Sequence, residues 1–225
     1  MSVRFQLQGA ELVACSTGAL WWPDARLLTV SDLHLGRADR LARRGGTLLP
    51  PYDTMETLAR LESAVLEHDP RTVVCLGDSF DDLAAAHRLE DGIRARLSSL
   101  LLGRRWVWVE GNHDPGDPQL GGSHMAELAR GPLTFRHIAH RAGGRGEVSG
   151  HFHPKMSLTT RAGRITRPCF LRDRERLILP AFGAYTGGLD ARDPALARRF
   201  GLGAEAILTG PTPVRVPLGP TQQSA

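Results

Sequence analysis

The sequence predicts an α/β fold in one domain over residues 1–216, with strand–helix alternation in the front half and mostly β structure behind. Three observations carry this expectation. Apolar, β-branched runs at residues 26–30, 72–76 and 106–109 each stop at a loop bearing Gly or Asp, as buried parallel strands do. Helical periodicity fills the stretches between them. Beyond about Pro132 the texture changes to short β segments separated by turn residues.

Taken in order, residues 5–7, 12–15 and 26–30 read as short strands. Asp53 with Glu56 three residues later reads as a capping pair, and Met55, Leu58, Leu61 and Val65 recur at helical spacing as the core face of a helix reaching about Glu67. After the strand at 72–76, one helix is expected from about Asp82 to Leu102. Trp106 and Trp108 lie inside the next strand and are expected to pack rather than stack on bases. The later segments are 133–136, 147–149, 157–160, 165–167, 176–179 and 205–208. A last short strand at 214–216 precedes a frayed tail, 217–225, rich in Gly, Pro, Thr, Gln and Ser.

With 225 residues, 41% of them hydrophobic, the chain can bury a sizeable core. No apolar run approaches the length of a membrane span, and residues 1–10 lack a signal-peptide pattern, so a soluble cytoplasmic protein is expected. Cys15, Cys75 and Cys169 are odd in number and widely spaced, which suits a reducing compartment and excludes a Cys-rich zinc knuckle. The net charge is +4, and all but Lys155 of the 28 basic residues are arginine. That bias favours anionic partners such as nucleic acid, although genomic base composition produces the same skew.

The candidate chemistry lies where strands end. Asp32-x-His34, Gly77-Asp78-x-x-Asp81 and Gly111-Asn112-His113-Asp114 each follow an expected strand, and Gly150-His151-Phe152-His153 follows a later β segment. Singly, such motifs are common turn features; together, at the carboxyl ends of neighbouring strands, they can converge on one site. His151 and His153, two apart in extended chain, project to the same side. Mixed carboxylate, imidazole and amide donors without thiolate favour two divalent ions, Mn²⁺ first, with Fe or Zn²⁺ as alternatives. Asp78, in the central loop, is the natural bridging carboxylate.

This ordered set resembles the calcineurin-like metallophosphoesterase superfamily, whose fold is a ββ sandwich flanked by helices. The longer runs Ser31-Asp32-Leu33-His34-Leu35-Gly36-Arg37, Glu147-Val148-Ser149-Gly150-His151-Phe152-His153-Pro154 and Pro180-Ala181-Phe182-Gly183-Ala184-Tyr185-Thr186-Gly187-Gly188 resemble its PdeM-type branch of ligase-associated DNA damage response phosphoesterases. The resemblance implies one metal held by Asp32, His34, Asp78 and His153. The second would take Asp78, Asn112, His151 and a separate histidine, His137 or else His140. It further implies that His113 contacts the phosphate and protonates the leaving oxygen, that Asp114 orients its ring, and that Asp81 steadies a ligand from behind. Many PdeM-type relatives carry a His near the position of Asp81. Arg37 is either a phosphate clamp or a solvated charge.

The implied function is a metal-dependent phosphodiesterase acting on DNA, an endonuclease associated with a DNA ligase, a helicase and a nuclease. A chain of this length leaves little room for a cap domain, which suits an extended diester. The rivals are a small-molecule phosphatase or nucleotide pyrophosphate hydrolase, and a non-catalytic scaffold of the same fold.

Overall fold

The computed structural model describes residues 2–43, 45, 52–140, 143–161, 163–201 and 203–219. Strands β1 (Ser2–Leu7), β2 (Ala10–Cys15), β3 (Leu20–Trp22) and β4 (Leu27–Val30) form an antiparallel meander. Helices α1 (Arg37–Arg43) and α2 (Asp53–His68) lead to β5 (Thr72–Leu76); α3 (Leu83–His87) and α4 (Asp91–Leu101) lead to β6 (Arg105–Val109) and β7 (Ser123–Met125). From β4 to β7 the pairing is parallel, and the seven strands lie in the sheet in chain order.

The second sheet is built from β8 (Glu127–Arg130), β9 (Leu133–Arg136), β10 (Glu147–Ser149), β11 (Lys155–Thr160), β12 (Gly163–Arg172) and β13 (Arg176–Ile178). After the short helix α5 (Pro194–Ala197) it is completed by β14 (Glu205–Leu208) and β15 (Val214–Pro217). Its order is β15-β14-β12-β13-β10-β9-β8, with β11 paired to β12 as a hairpin.

Alternation within single strands explains the layering. On β5, Val73 and Cys75 face Leu58, Leu61 and Val65 of α2 and Leu97 of α4, whereas Val74 and Leu76 face Phe135, Val148 and Leu177 of the second sheet. Burying each such Val or Leu contributes roughly 1.5–3 kcal/mol. The far face of the second sheet, with Cys169, Leu171 and Ile178, is covered by Leu196 of α5 and by Ala191. The result is the expected ββ sandwich with helices on the outer face of the first sheet. Trp106 and Trp108 are buried in its packing, and all three cysteines are free and buried. Among the described residues no helix is long and apolar enough to cross a membrane.

Four local expectations are corrected. The helix expected over 82–102 is two helices: Asp82 caps α3 by accepting from the Ala85 amide, and the Arg94 guanidinium donates to the carbonyls of Ala86 and His87. The last carbonyls of α3 are thus satisfied from the side, and the chain turns before α4. Asp53 does not cap α2. It is the first helical residue, and its carboxylate accepts from the amides of Ala38 and Thr54, tying α1 to α2. Met55 is 44% exposed, because the buried face of α2 is centred on Thr57, Leu58, Leu61, Ala64 and Val65 and leaves Met55 on its flank. The segments expected at 157–160 and 165–167 belong to a longer hairpin, since the cross-strand register runs on to Lys155 opposite Pro168. The expected tail, 217–225, lies mostly outside the described residues.

Candidate metal centre

Each loop that carries a motif residue leaves a strand at its carboxyl end and turns sharply. Asp32, His34, Asp78, His151 and His153 all adopt positive φ, between 45° and 70°. Non-glycine residues rarely do so, and the cost persists only where surroundings over-determine the backbone. The surroundings here are main-chain hydrogen bonds that continue the parallel pairing past the strand ends. Asp32 N donates to Gly77 O, His34 N to Asp78 O and Leu35 N to Ser79 O, and Asp81 N returns to Leu35 O. On the other sheet Gly150 N donates to His137 O. At Gly111, a Cβ would lie 2.1 Å from Asp78 N, so only glycine permits the second and third loops to meet.

These loops bring together Asp32, His34, Asp78, Asp81, Asn112, His113, His137, His151 and His153. Ligand-capable atoms of Asp32, His34 and His153 cluster within 4.8 Å of one another, and so do those of Asp78, His137 and His151. In the first set Asp32 Oδ1 lies 3.1 Å from His153 Nε2, and the Nε2 atoms of His34 and His153 are 3.4 Å apart. In the second, His137 Nε2 lies 3.3 Å from Asp78 Oδ2, 2.9 Å from Asn112 Oδ1 and 3.2 Å from His151 Nδ1. Asp32 Oδ1 and His137 Nδ1, 3.9 Å apart, join the sets.

The imidazoles are oriented from behind. His34 Nδ1 meets the Asp81 carboxylate at 2.8 Å and His137 Nδ1 meets Leu76 O at 2.9 Å, which leaves Nε2 of each ring for the centre. Arg40 of α1 grips the other oxygen of Asp81. The sequence reading missed Arg40; its signal was a second arginine three residues beyond Arg37, on the same helical face. Ser31 was also missed: its hydroxyl and the His151 amide both donate to Asp32 Oδ2, saturating that oxygen.

Two expectations sort themselves geometrically. His137 points into the centre, whereas His140 is exposed and its amide is bound by Glu147. Asp114 does not orient the His113 ring. Its buried carboxylate instead accepts four main-chain N–H groups, from Asp78, Ser79, Phe80 and Gly111, because the turn at Gly111 folds it back beneath the Asp78 loop. His113 Nδ1 lies 3.0 Å from Asp81 O instead. Arg37, half-buried on α1, has an Nε that makes no hydrogen bond among the described residues.

Electrostatics tests whether cations fit. Burial opposes charge on Asp32 and Asp78, yet contact with the protonatable rings of His153 and His137 wins, holding Asp32 below the ordinary carboxylate range and Asp78 at about 2. Burial depresses His137, but Asp78 and the charge of Asp32 push it net upward. Burial, then the charge of His137, lowers His151. Burial raises Asp114 to about 6 against the amides of Phe80 and Ser79. The pull on His137 expresses negative charge concentrated where divalent ions would neutralise it. Asp32 Oδ1 is buried without an aligned hydrogen bond, aimed with His34 and His153 at a common point. The donor set therefore fits divalent metal.

The sequence matches the calcineurin-like phosphoesterase family over residues 25–179. Among solved structures, the nuclease MPE of Pseudomonas putida superposes with a TM-score of 0.72 at 28% identity, covering 97% of this chain and 100% of that one. No curated protein matches the sequence significantly. The matched segment begins before Asp32, ends after His153 and so contains both donor sets: the chain belongs to the calcineurin-like phosphoesterase family and is a metal-dependent hydrolase of phosphoric esters.

Proposed function

We propose that the protein is a two-metal phosphodiesterase that cleaves nucleic acid, a DNA endonuclease or phosphodiesterase of the PdeM type acting in DNA repair. The observation that carries this reading is the pair of Asp/His donor sets on one rim with His113, in a chain that aligns end to end with a nuclease. Asp32, His34, Asp78 and His153 would hold one ion and Asp78, Asn112, His137 and His151 the other. The donor chemistry favours Mn²⁺, with Fe or Zn²⁺ as alternatives. Such a pair, when bound, supplies charge neutralisation at phosphorus and a nucleophile at neutral pH.

The protein's own groups do the rest. With Nδ1 committed to Asp81 O, the other ring nitrogen of His113 is free to protonate the leaving oxygen. Asp114 holds the Asp78 loop in shape rather than the His113 ring. Asp81, backed by Arg40, fixes His34. Arg37, on α1 just past the loop of Asp32 and His34, is the candidate phosphate clamp, although its Nε is buried.

The PdeM-type segment at 180–188 supports the same reading, because it docks on the centre: Phe182 N donates to Ser31 O and Gly183 N to Asp32 O. Association with a DNA ligase, helicase and nuclease system follows from that likeness alone.

The test is hydrolysis of a chromogenic phosphodiester and the matching monoester by chelator-stripped protein, with Mn²⁺, Mg²⁺, Zn²⁺ or no metal, followed by defined DNA strands. Metal-dependent diester and DNA cleavage, absent in Asp78→Asn, is expected. Cleavage of the monoester alone would instead establish a small-molecule phosphatase, and no hydrolysis with any metal would favour the scaffold.

A further inference from the structure

Tyr185 combines an exposed ring with a backbone conformation that bulky residues rarely adopt. Its ring is 53% exposed, and its φ is 56°, where a bulky side chain crowds its own backbone. The chain on both sides holds it there. Gly183 N donates to Asp32 O, and Ala184 N to Thr57 Oγ1 of α2. Lys155 Nζ donates to Thr186 O, while Leu189 N reaches Phe152 O. At Gly183 a Cβ would lie 2.3 Å from Leu33 O, and at Gly188 one would lie 2.1 Å from His153 O. The segment is therefore pressed against the loop of Asp32 and His34 at Gly183 and against the loop of His153 at Gly188, and Tyr185 lies on the stretch that bridges them.

We propose that Tyr185 forms a nucleobase subsite: its ring stacks on a base of the strand whose phosphate lies at the Asp32–His153 centre. This rests on the nucleic-acid reading above and adds what recognises the substrate beyond its phosphate. An exposed aromatic face beside a phosphate-binding centre suits any base, since each has a π face, and a rigidly held platform loses little entropy on binding. Stacking of this kind is sequence-tolerant, so Tyr185 contributes to holding the strand and not to choosing the base.

The experiment uses the metal-loaded full chain with a thymidine tetranucleotide and the matching abasic tetramer, comparing the native protein with Tyr185→Phe and Tyr185→Gly. Glycine suits the left-handed backbone, so folding is preserved, and bound metal is measured in each variant. The native protein should cleave the base-bearing tetramer with a KM roughly tenfold below that of the abasic one. Tyr185→Phe should keep that preference, and Tyr185→Gly should erase it with kcat and bound metal unchanged. A preference that survives in Tyr185→Gly overturns the subsite while leaving the nuclease reading intact. Failure of the native protein to cleave either tetramer while hydrolysing small phosphoesters overturns both.

Discussion

His113 Nδ1 lies 3.0 Å from the main-chain carbonyl oxygen of Asp81, so the ring takes its orientation from backbone and not from Asp114, its neighbour in sequence. An Nδ1–H donating there leaves the opposite nitrogen for substrate. Replacing His113 by Ala should lower kcat by roughly 10²- to 10⁴-fold, the usual share of a positioned acid. Metal content measured on the same sample should stay at the native level. Parallel loss of metal would mean that His113 serves the centre as a ligand instead.

Arg40 acts through two intermediates, Asp81 and then His34. Arg40→Ala should weaken metal affinity by about 10- to 100-fold, as losses behind a ligand do, while saturating metal restores most of kcat. Titrating Mn²⁺ into stripped protein and following hydrolysis reads the effect. A defect that no metal concentration rescues would place Arg40 on the substrate.

Gly111 is the point where two ligand loops cross. Its replacement by Ala sets a methyl group 2.1 Å from Asp78 N and 2.4 Å from Asp114 Oδ1, both backbone-anchored groups. Stability should fall by about 3 kcal/mol, lowering Tm by roughly 6–12 °C. A calorimetric Tm within a degree of native would show that the loops separate without cost.

Away from the centre, Arg96 of α4 binds the Glu62 carboxylate of α2 through both Nε and Nη2. The hydrogen bond from Arg96 is the main reason that Glu62 titrates below its ordinary value of 4.5. A carboxylate depressed in the folded state stabilises it above the unfolded pKa and loses that contribution as pH falls through the folded one. Glu62→Gln should therefore show a small Tm deficit at pH 7 that closes as pH falls below 4.5 and through the depressed folded-state pKa. A deficit that persists in acid would assign it to helix packing rather than to charge.

Much of this molecule is local. The apolar runs at Thr72–Leu76 and Arg105–Val109, the glycines that end them and the clustered Asp, Asn and His residues lie within a few positions of one another. Continuous apolar, β-branched runs therefore announce the strands, and the loops after them announce where ligands gather. Local sequence favours His137, directly after the strand at 133–136, over His140 three positions on; the fold sets the His137 ring beside Asp78 and Asn112 and leaves His140 exposed.

What the sequence by itself determined is the set of candidate donors and the strand ends that carry them, since both follow from short-range pattern and side-chain chemistry. The tertiary structure alone decided which groups stand behind those donors. Arg40 reaches Asp81 across 41 positions, Asp114 gathers amides 34 to 36 positions away, and the segment around Gly183 closes on Asp32 from the far end of the chain. The same dependence split the helix over 82–102, turned Met55 outward and left Tyr185 exposed. Each of these outcomes depends on which distant surfaces meet when two sheets pack, and a side chain's neighbours along the chain carry no record of that meeting.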